Sequence, residues 1–208
     1  MTAPIPGQRS GRRKLLSSLS LALALVPVSS CSSLRVPSRL EIAPHQRLLR
    51  SEADGVTLEA RPIRGTDQYW ELFDDNLIDI GIAVVWVAFR NARNGVIDLS
   101  RAKLSLRIGD KRRRALDIGE VLDTYYDRRS IRVYTLNSDR EVRRRMHEIV
   151  WAPGALSPNA GRDGLVFFRI DSAAAENWPK GTILIADGIQ LETGRKLTFQ
   201  LPLDYAKP

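Results

Sequence analysis

The sequence predicts a mainly β fold, a β-sandwich with one short helical insertion, on three observations. Period-two alternation recurs in short runs, turn residues separate the runs at roughly ten-residue spacing, and just one stretch carries a convincing helical period. An α/β fold would need an amphipathic helix between successive strands. Asp54 and Gly55 form a turn, after which Val56, Leu58 and Ala60 alternate with Thr57, Glu59 and Arg61 as in a half-buried strand. Pro62 marks that strand's edge or end. Residues 82–90, IAVVWVAFR, are the densest strand former, and their unbroken apolar character predicts the central strand, with Trp86 in the core. After a turn over residues 91–95, Leu104, Leu106 and Ile108 alternate with Ser105 and Arg107 up to a turn at Gly109 and Asp110. Residues 117–126 are compatible with a short helix, and Ile131, Val133 and Thr135 alternate as a strand would. Ser138 with Glu141 forms a capping-box signature, and Val142, Met146 and Ile149 form the apolar stripe of a helix that Pro153 and Gly154 end. Residues 152–163 read as the longest loop. Residues 165–170, 182–186, 189–192 and 196–201 supply the remaining strands, the last two facing each other across Thr193 and Gly194.

The N-terminus reads differently from the rest. Arg9, Arg12, Arg13 and Lys14 precede LLSSLSLALALVPVSS, and no acid occurs in the first thirty residues. The apolar stretch is too short and too rich in serine for a permanent helix across about 30 Å of hydrocarbon, so it reads as an export signal that is removed. Val28, Ser29, Ser30 and Cys31 resemble a bacterial lipobox, which implies that Cys31 is acylated and becomes the first residue of the mature chain. The bland alternative is a buried structural cysteine. Cys31 is the only cysteine, and acylation would remove a free thiol from an oxidising compartment. The expected organisation is a signal over 1–30, an acylated terminus and tether over 31–50, and a folded domain over 51–208. Arg12, Arg13, Lys14, Leu15 and Leu16 resemble a twin-arginine signal without its usual phenylalanine, and general secretion fits equally. Ser32 resembles the residue that directs such proteins to the outer membrane.

Composition removes several classes. All 24 acids and all but four of the 32 basic residues lie beyond residue 30, which leaves 28 against 24, or +4. That is an ordinary solubility charge and argues against a nucleic-acid partner. With one cysteine, already assigned, a disulfide scaffold and every thiolate metal site are excluded.

The stretch 68–121 resembles a pattern in uncharacterised bacterial lipoproteins with an immunoglobulin-like β-sandwich. The matching positions are Phe73, Gly81, the strand 82–90, Asn91, Leu104, Leu106, Gly109 and Leu116, and GLVFF from Gly164 resembles a later glycine-led strand. The resemblance implies the immunoglobulin-like form of the sandwich and covers about half of the mature chain. Its marks are packing and turn residues, and folds of this kind host many roles, so no function is carried across.

Catalytic signals are sparse. His45 and His147 are far apart in sequence and read as surface histidines in preference to metal ligands. Asp74, Asp75, Asn76 and Asp79 offer oxygen ligands but lack the glycine and terminal glutamate of a calcium loop, so a polar turn is the reading. Asp171 and Asp187 sit at turn positions, where a carboxylate pair is conceivable. There is no G-x-S-x-G, G-x-G-x-x-G or Walker sequence. The expectation is a protein that is not an enzyme, with no cofactor and no metal; a small envelope hydrolase or metal-dependent enzyme using clustered aspartates is the alternative. The basic runs Lys111 to Arg114 and Arg143, Arg144 and Arg145 fit anionic lipid or an acidic envelope polymer, against the plainer reading of a solvated face. Trp151 and Trp178 border loops and fit contact residues or lids over the ends of the sandwich. The functional expectation is therefore a lipid-anchored, periplasm-facing envelope protein that binds an envelope protein or polymer, with passive stabilisation of a larger assembly as a further class.

Overall fold

The computed structural model describes residues 34–37, 48–131, 136–171 and 180–204, all within the unit Cys31–Pro208. Strands β1 (Leu49–Ala53) and β2 (Val56–Pro62) form a hairpin around Asp54 and Gly55, both at positive φ. Strand β3 (Ile82–Asn91) lies between β2 and β8 (Gly161–Arg169), and only Arg90 of its ten residues is exposed. This is the central strand that its β-branched and aromatic run predicts. Trp86 is 5% exposed and its Nε1 donates to Asp163 at 3.1 Å. Strand β2 is buried on both faces, Thr57 and Arg61 included, where alternation predicts burial on one.

Pro62 is the last residue of β2, and the sheet edge it leaves is closed by a helix. Helix α1 (Thr66–Phe73) buries Tyr69 and Phe73, and the Tyr69 hydroxyl accepts from the amide of Val84 in β3 at 3.0 Å. Burial pushes the Tyr69 phenol well above its ordinary value, which keeps it protonated. A 3-10 turn (Leu77–Ile80) then leads through Gly81, at φ 81, into β3.

The described residues hold three α-helices, in place of the one short helical insertion that the sequence predicts. Besides α1 there are α2 (Ile118–Arg128) and α3 (Leu136–Ile149). Helix α1 escapes a periodicity reading because two buried aromatics in eight residues are too few to set a period. Helix α2 has a true capping box: Asp117 Oδ1 accepts from the Glu120 amide at 2.8 Å, and Glu120 Oε2 accepts from the Asp117 amide at 3.0 Å. Helix α3 buries Val142, Met146 and Ile149 as its stripe predicts. Ser138 lies inside the helix rather than at its start, and the Glu141 carboxylate is engaged by arginines. Residues 132–135, read as part of a strand, lie outside the described residues.

The remaining strands are β4 (Ile97–Asp98), β5 (Lys103–Ile108), β6 (Lys111–Leu116), β7 (Ala155–Leu156), β9 (Ile183–Leu191) and β10 (Lys196–Pro202). The loop expected over 152–163 therefore contains β7 and the start of β8. Residues 182–186 and 189–192, read as two strands, form the single strand β9: Asp187 and Gly188 are not a turn but a bulge, marked by a register shift against β10. A Cβ on Gly188 would lie 2.3 Å from the Arg101 carbonyl oxygen, and its φ is 79.

All strand pairs are antiparallel, in the order β1-β2-β3-β8-β6-β5-β9-β4-β7, with β10 also on β9. The fold is thus mainly β, one continuous hydrogen-bonded path with helical insertions. Strand β6 changes partner midway: residues 111–114 pair with β5, and Ala115 and Leu116 pair with β8. Leu34 and Val36, in the segment read as a tether, are each 2% exposed against the core.

Candidate functional site

Three recesses lie around the partner change in β6, a basic one, a neighbour that adjoins it and an apolar one. Successive strand residues point to opposite faces, and the arginines of β6 follow that rule. Arg112 donates to Ser105 Oγ at 2.7 Å and pairs with Asp187, and Arg114 pairs with Glu120, whose carboxyl it lowers. Arg113 takes the other side and meets Asp171 at 3.4 Å. Asp171 and Asp187 are thereby drawn to opposite faces of β6 and do not converge.

The basic recess, about 280 Å³, is bounded by Arg113, by Thr124 and Arg128 of α2, and by Arg169 at the end of β8, with Gly81 and Asp171 at its sides. Arg169 Nη2 donates to Thr124 Oγ1 at 2.5 Å, and that hydroxyl donates to the Glu120 carbonyl at 2.7 Å. Beyond the Arg113 and Asp171 pair lies a second recess of about 350 Å³ that includes Asp110 and Lys111.

The apolar recess, about 400 Å³, lies where β5 and β8 separate around β6. Leu104, Leu116, Val150, Trp151 and Leu165 supply its walls, with Lys103 and Arg114 also lining it. Trp151 is positioned by a close crossing of chains: its amide donates to the Leu165 carbonyl at 2.9 Å, and Val150 bridges Leu165 in parallel. Gly164 permits the crossing, since a Cβ there would lie 2.4 Å from the Trp151 nitrogen. The ring is 8% exposed and lies 5.5 Å from Phe89, and its Nε1 is buried with no acceptor among the described residues.

Arg143, Arg144 and Arg145 each meet a carboxylate on their own helix: Asp139 at 2.8 Å, Glu141 and Glu148 at 2.7 and 2.5 Å, and Glu141 at 2.6 Å. Hydrogen bonds from Arg144 and then Arg145 hold the Glu141 carboxyl down at about 2. Asp75 receives a two-pronged contact from Arg129, at 2.5 and 3.1 Å. Burial, with Asp75 second, pushes the Tyr125 phenol up. Asp74 ends α1 in a left-handed conformation, and Asp79 and His147 are exposed. No group of three His, Cys, Asp or Glu with metal-binding geometry occurs among the described residues. Cys31, His45 and Trp178 lie outside them. Sequence reasoning marked Arg113 through its basic run but missed Thr124, Arg128 and Arg169, which belong to separate elements and share no spacing.

No family model and no curated protein matches the chain. Among solved structures it is similar to a candidate lipoprotein of Bacillus subtilis, at 10% identity and a TM-score of 0.35 over 76% of this chain. The chain spans 39% of the length of that protein. It is also similar to a functionally unknown protein from Listeria monocytogenes (10% identity, TM-score 0.39, 75% of this chain and 84% of that one). A conserved hypothetical protein from Bacillus anthracis matches at 9% identity and a TM-score of 0.32, over 72% of this chain and 90% of that one. At such scores the three likenesses bear on neither function nor fold.

Proposed function

We propose that this chain is a lipoprotein, anchored in a bacterial envelope membrane through acyl groups on Cys31, whose immunoglobulin-like sandwich binds an anionic amphiphile in the apolar recess beside Trp151. The recess itself carries the reading. Its walls are aliphatic and aromatic, and cations line it: Lys103 makes no ion pair among the described residues, and Arg114 is shared with Glu120. An aliphatic chain with an acidic end complements that arrangement, the chain leaving water and the acid meeting Lys103. The sandwich reading is supported by β6, which passes from the ladder with β5 to the ladder with β8, as a strand does when it turns from one layer to another. The anchor is supported by the lipobox-like residues before Cys31, and a protein tethered in this way would work beside lipid. Binding is preferred to catalysis because three of the candidate aspartates are held by arginines, Asp75 by Arg129, Asp171 by Arg113 and Asp187 by Arg112, while Asp74 and Asp79 are exposed.

Two measurements test this. Calorimetric titration of the full chain with dodecanoate, below its micelle concentration, is expected to show saturable binding that Ala102→Phe abolishes by filling the recess. Dodecyltrimethylammonium is expected to bind more weakly. Absence of saturation, or equal binding by the Ala102→Phe variant, overturns the ligand assignment. Mass spectrometry of the mature terminus is expected to find an acylated Cys31, and an unmodified chain beginning before it overturns the anchor.

A further inference from the structure

We propose a second, independent ligand site: the basic recess between β6, α2 and the end of β8 binds a phosphate monoester. The inference does not depend on the amphiphile reading, because the two recesses share no lining residue.

Arg113, Arg128 and Arg169 bring three positive charges to the recess, and Asp171 is the one carboxylate lining it. None of the ion pairs among the described residues involves Arg128 or Arg169. The Asp171 side chain is 76% exposed and stands 3.4 Å from Arg113, a loose contact that costs little to rearrange. Glu120, the nearby carboxylate that senses Arg169, is committed to Arg114 and to the Asp117 amide. Two positive charges therefore remain uncompensated, and a phosphate monoester carries about 1.5 to 2 negative charges at neutral pH.

Geometry selects the same ligand. The three arginines come from a strand, a helix end and a second strand end, so cations line the recess from separate elements. A tetrahedral group with three free oxygens matches that arrangement, whereas a planar carboxylate presents its two oxygens in one plane. Arg169 is held in advance by Thr124, whose own proton is spent on the Glu120 carbonyl. Thr124 is thus a positioning residue, and the cost of ordering Arg169 is met before the ligand arrives. The adjoining recess beyond Arg113 has about 350 Å³ for the alcohol part of the ester.

The shared chemistry has two sources, a free phosphate ester or the headgroup of a lipid phosphate, and titration of the full chain separates them. Glycerol 3-phosphate serves as the free probe. Dihexanoyl phosphatidate below its micelle concentration serves as the lipid probe, with dihexanoyl phosphatidylglycerol, a diester, as its control. Saturable binding of glycerol 3-phosphate assigns a free ester; binding of phosphatidate alone assigns a lipid headgroup. In either case Arg128→Gln and Arg169→Gln, both exposed and so compatible with folding, should each weaken binding about tenfold. Thr124→Val should weaken it less while leaving the charge intact, and Arg144→Gln on α3 should leave it unchanged. The proposal is overturned if neither monoester saturates, if the diester binds as tightly as the monoester, or if the Arg128 and Arg169 variants bind like the parent.

Discussion

Replacing Asn91 with alanine is expected to cost about 2 to 4 kcal/mol of stability, because one side chain holds three carbonyls and one amide at the end of β3. Asn91 is 2% exposed. Its Nδ2 donates toward the carbonyls of Gly95 at 2.8 Å, Ser157 at 3.1 Å and Leu156 at 3.2 Å, and its Oδ1 accepts from the Arg93 amide at 2.9 Å. Two amide protons serve three carbonyls, so one is shared. Ser157 is exposed and Gly95 half-buried, so water repairs part of the loss. About two groups left unsatisfied, at about 1 to 2 kcal/mol each, give the figure above. Asn91→Asp keeps the shape but aims an acceptor at three oxygens. Burial against those carbonyls should raise the new carboxyl's folded-state pKa above its unfolded value. The deficit should therefore be largest at neutral pH and shrink as pH falls, when the protonated group donates again. Urea unfolding at pH 7 and pH 4 measures both effects. A cost for Asn91→Ala below about 0.5 kcal/mol, typical of a surface position, would refute the reasoning, as would an Asn91→Asp deficit that ignores pH.

Gly164→Ala should destabilise the fold by about 1 to 3 kcal/mol or more in urea melts, since its Cβ meets main-chain atoms that cannot swing aside. The contacts are 2.4 Å to the Trp151 nitrogen and 2.6 Å to its Cα, so a near-neutral melt would mean that the crossing is looser than described. For Glu141, a folded value lowered to about 2 from 4.5 means that its contribution is present above the ordinary range and is lost as pH falls from about 4.5 toward 2. Melting temperatures of Glu141→Gln and the parent should therefore converge over that window, and parallel curves would show that the exposed arginine contacts contribute nothing to stability.

What could be read from sequence divides along physical lines. Residues 82–90 announced a central strand because β-branched and aromatic residues without polar interruption suit a strand covered on both sides. The α3 stripe was equally legible from Val142, Met146 and Ile149. Strand β6 was not, because KRRR has charge on both faces, and of the carboxylates that make this tolerable only Glu120 is near in sequence, Asp171 and Asp187 being more than fifty residues away. Asp187 and Gly188 misled because the same dipeptide suits a hairpin turn and a bulge, and only the register against β10 separates the two. Of the basic recess, Arg113 stood in a visible cluster, whereas Arg128 and Arg169 are single charges at the ends of α2 and β8 whose meeting is a tertiary fact.

The neighbour of β3 in the sheet has a consequence for how the chain is made. Strand β3 ends at residue 91, and the strand that covers its second edge, β8, ends at residue 169. At about 5 to 20 residues per second, a ribosome needs roughly 4 to 16 seconds to synthesise the intervening stretch. Throughout that interval β3 can pair with β2 on one side but its other edge lacks β8, the condition under which strands pair with the wrong chain. A chain that folds while it is being made therefore depends on the β8 edge of β3 staying protected until synthesis has passed residue 169. Pauses placed between residues 91 and 161 should increase aggregation, whereas pauses after residue 169 should not.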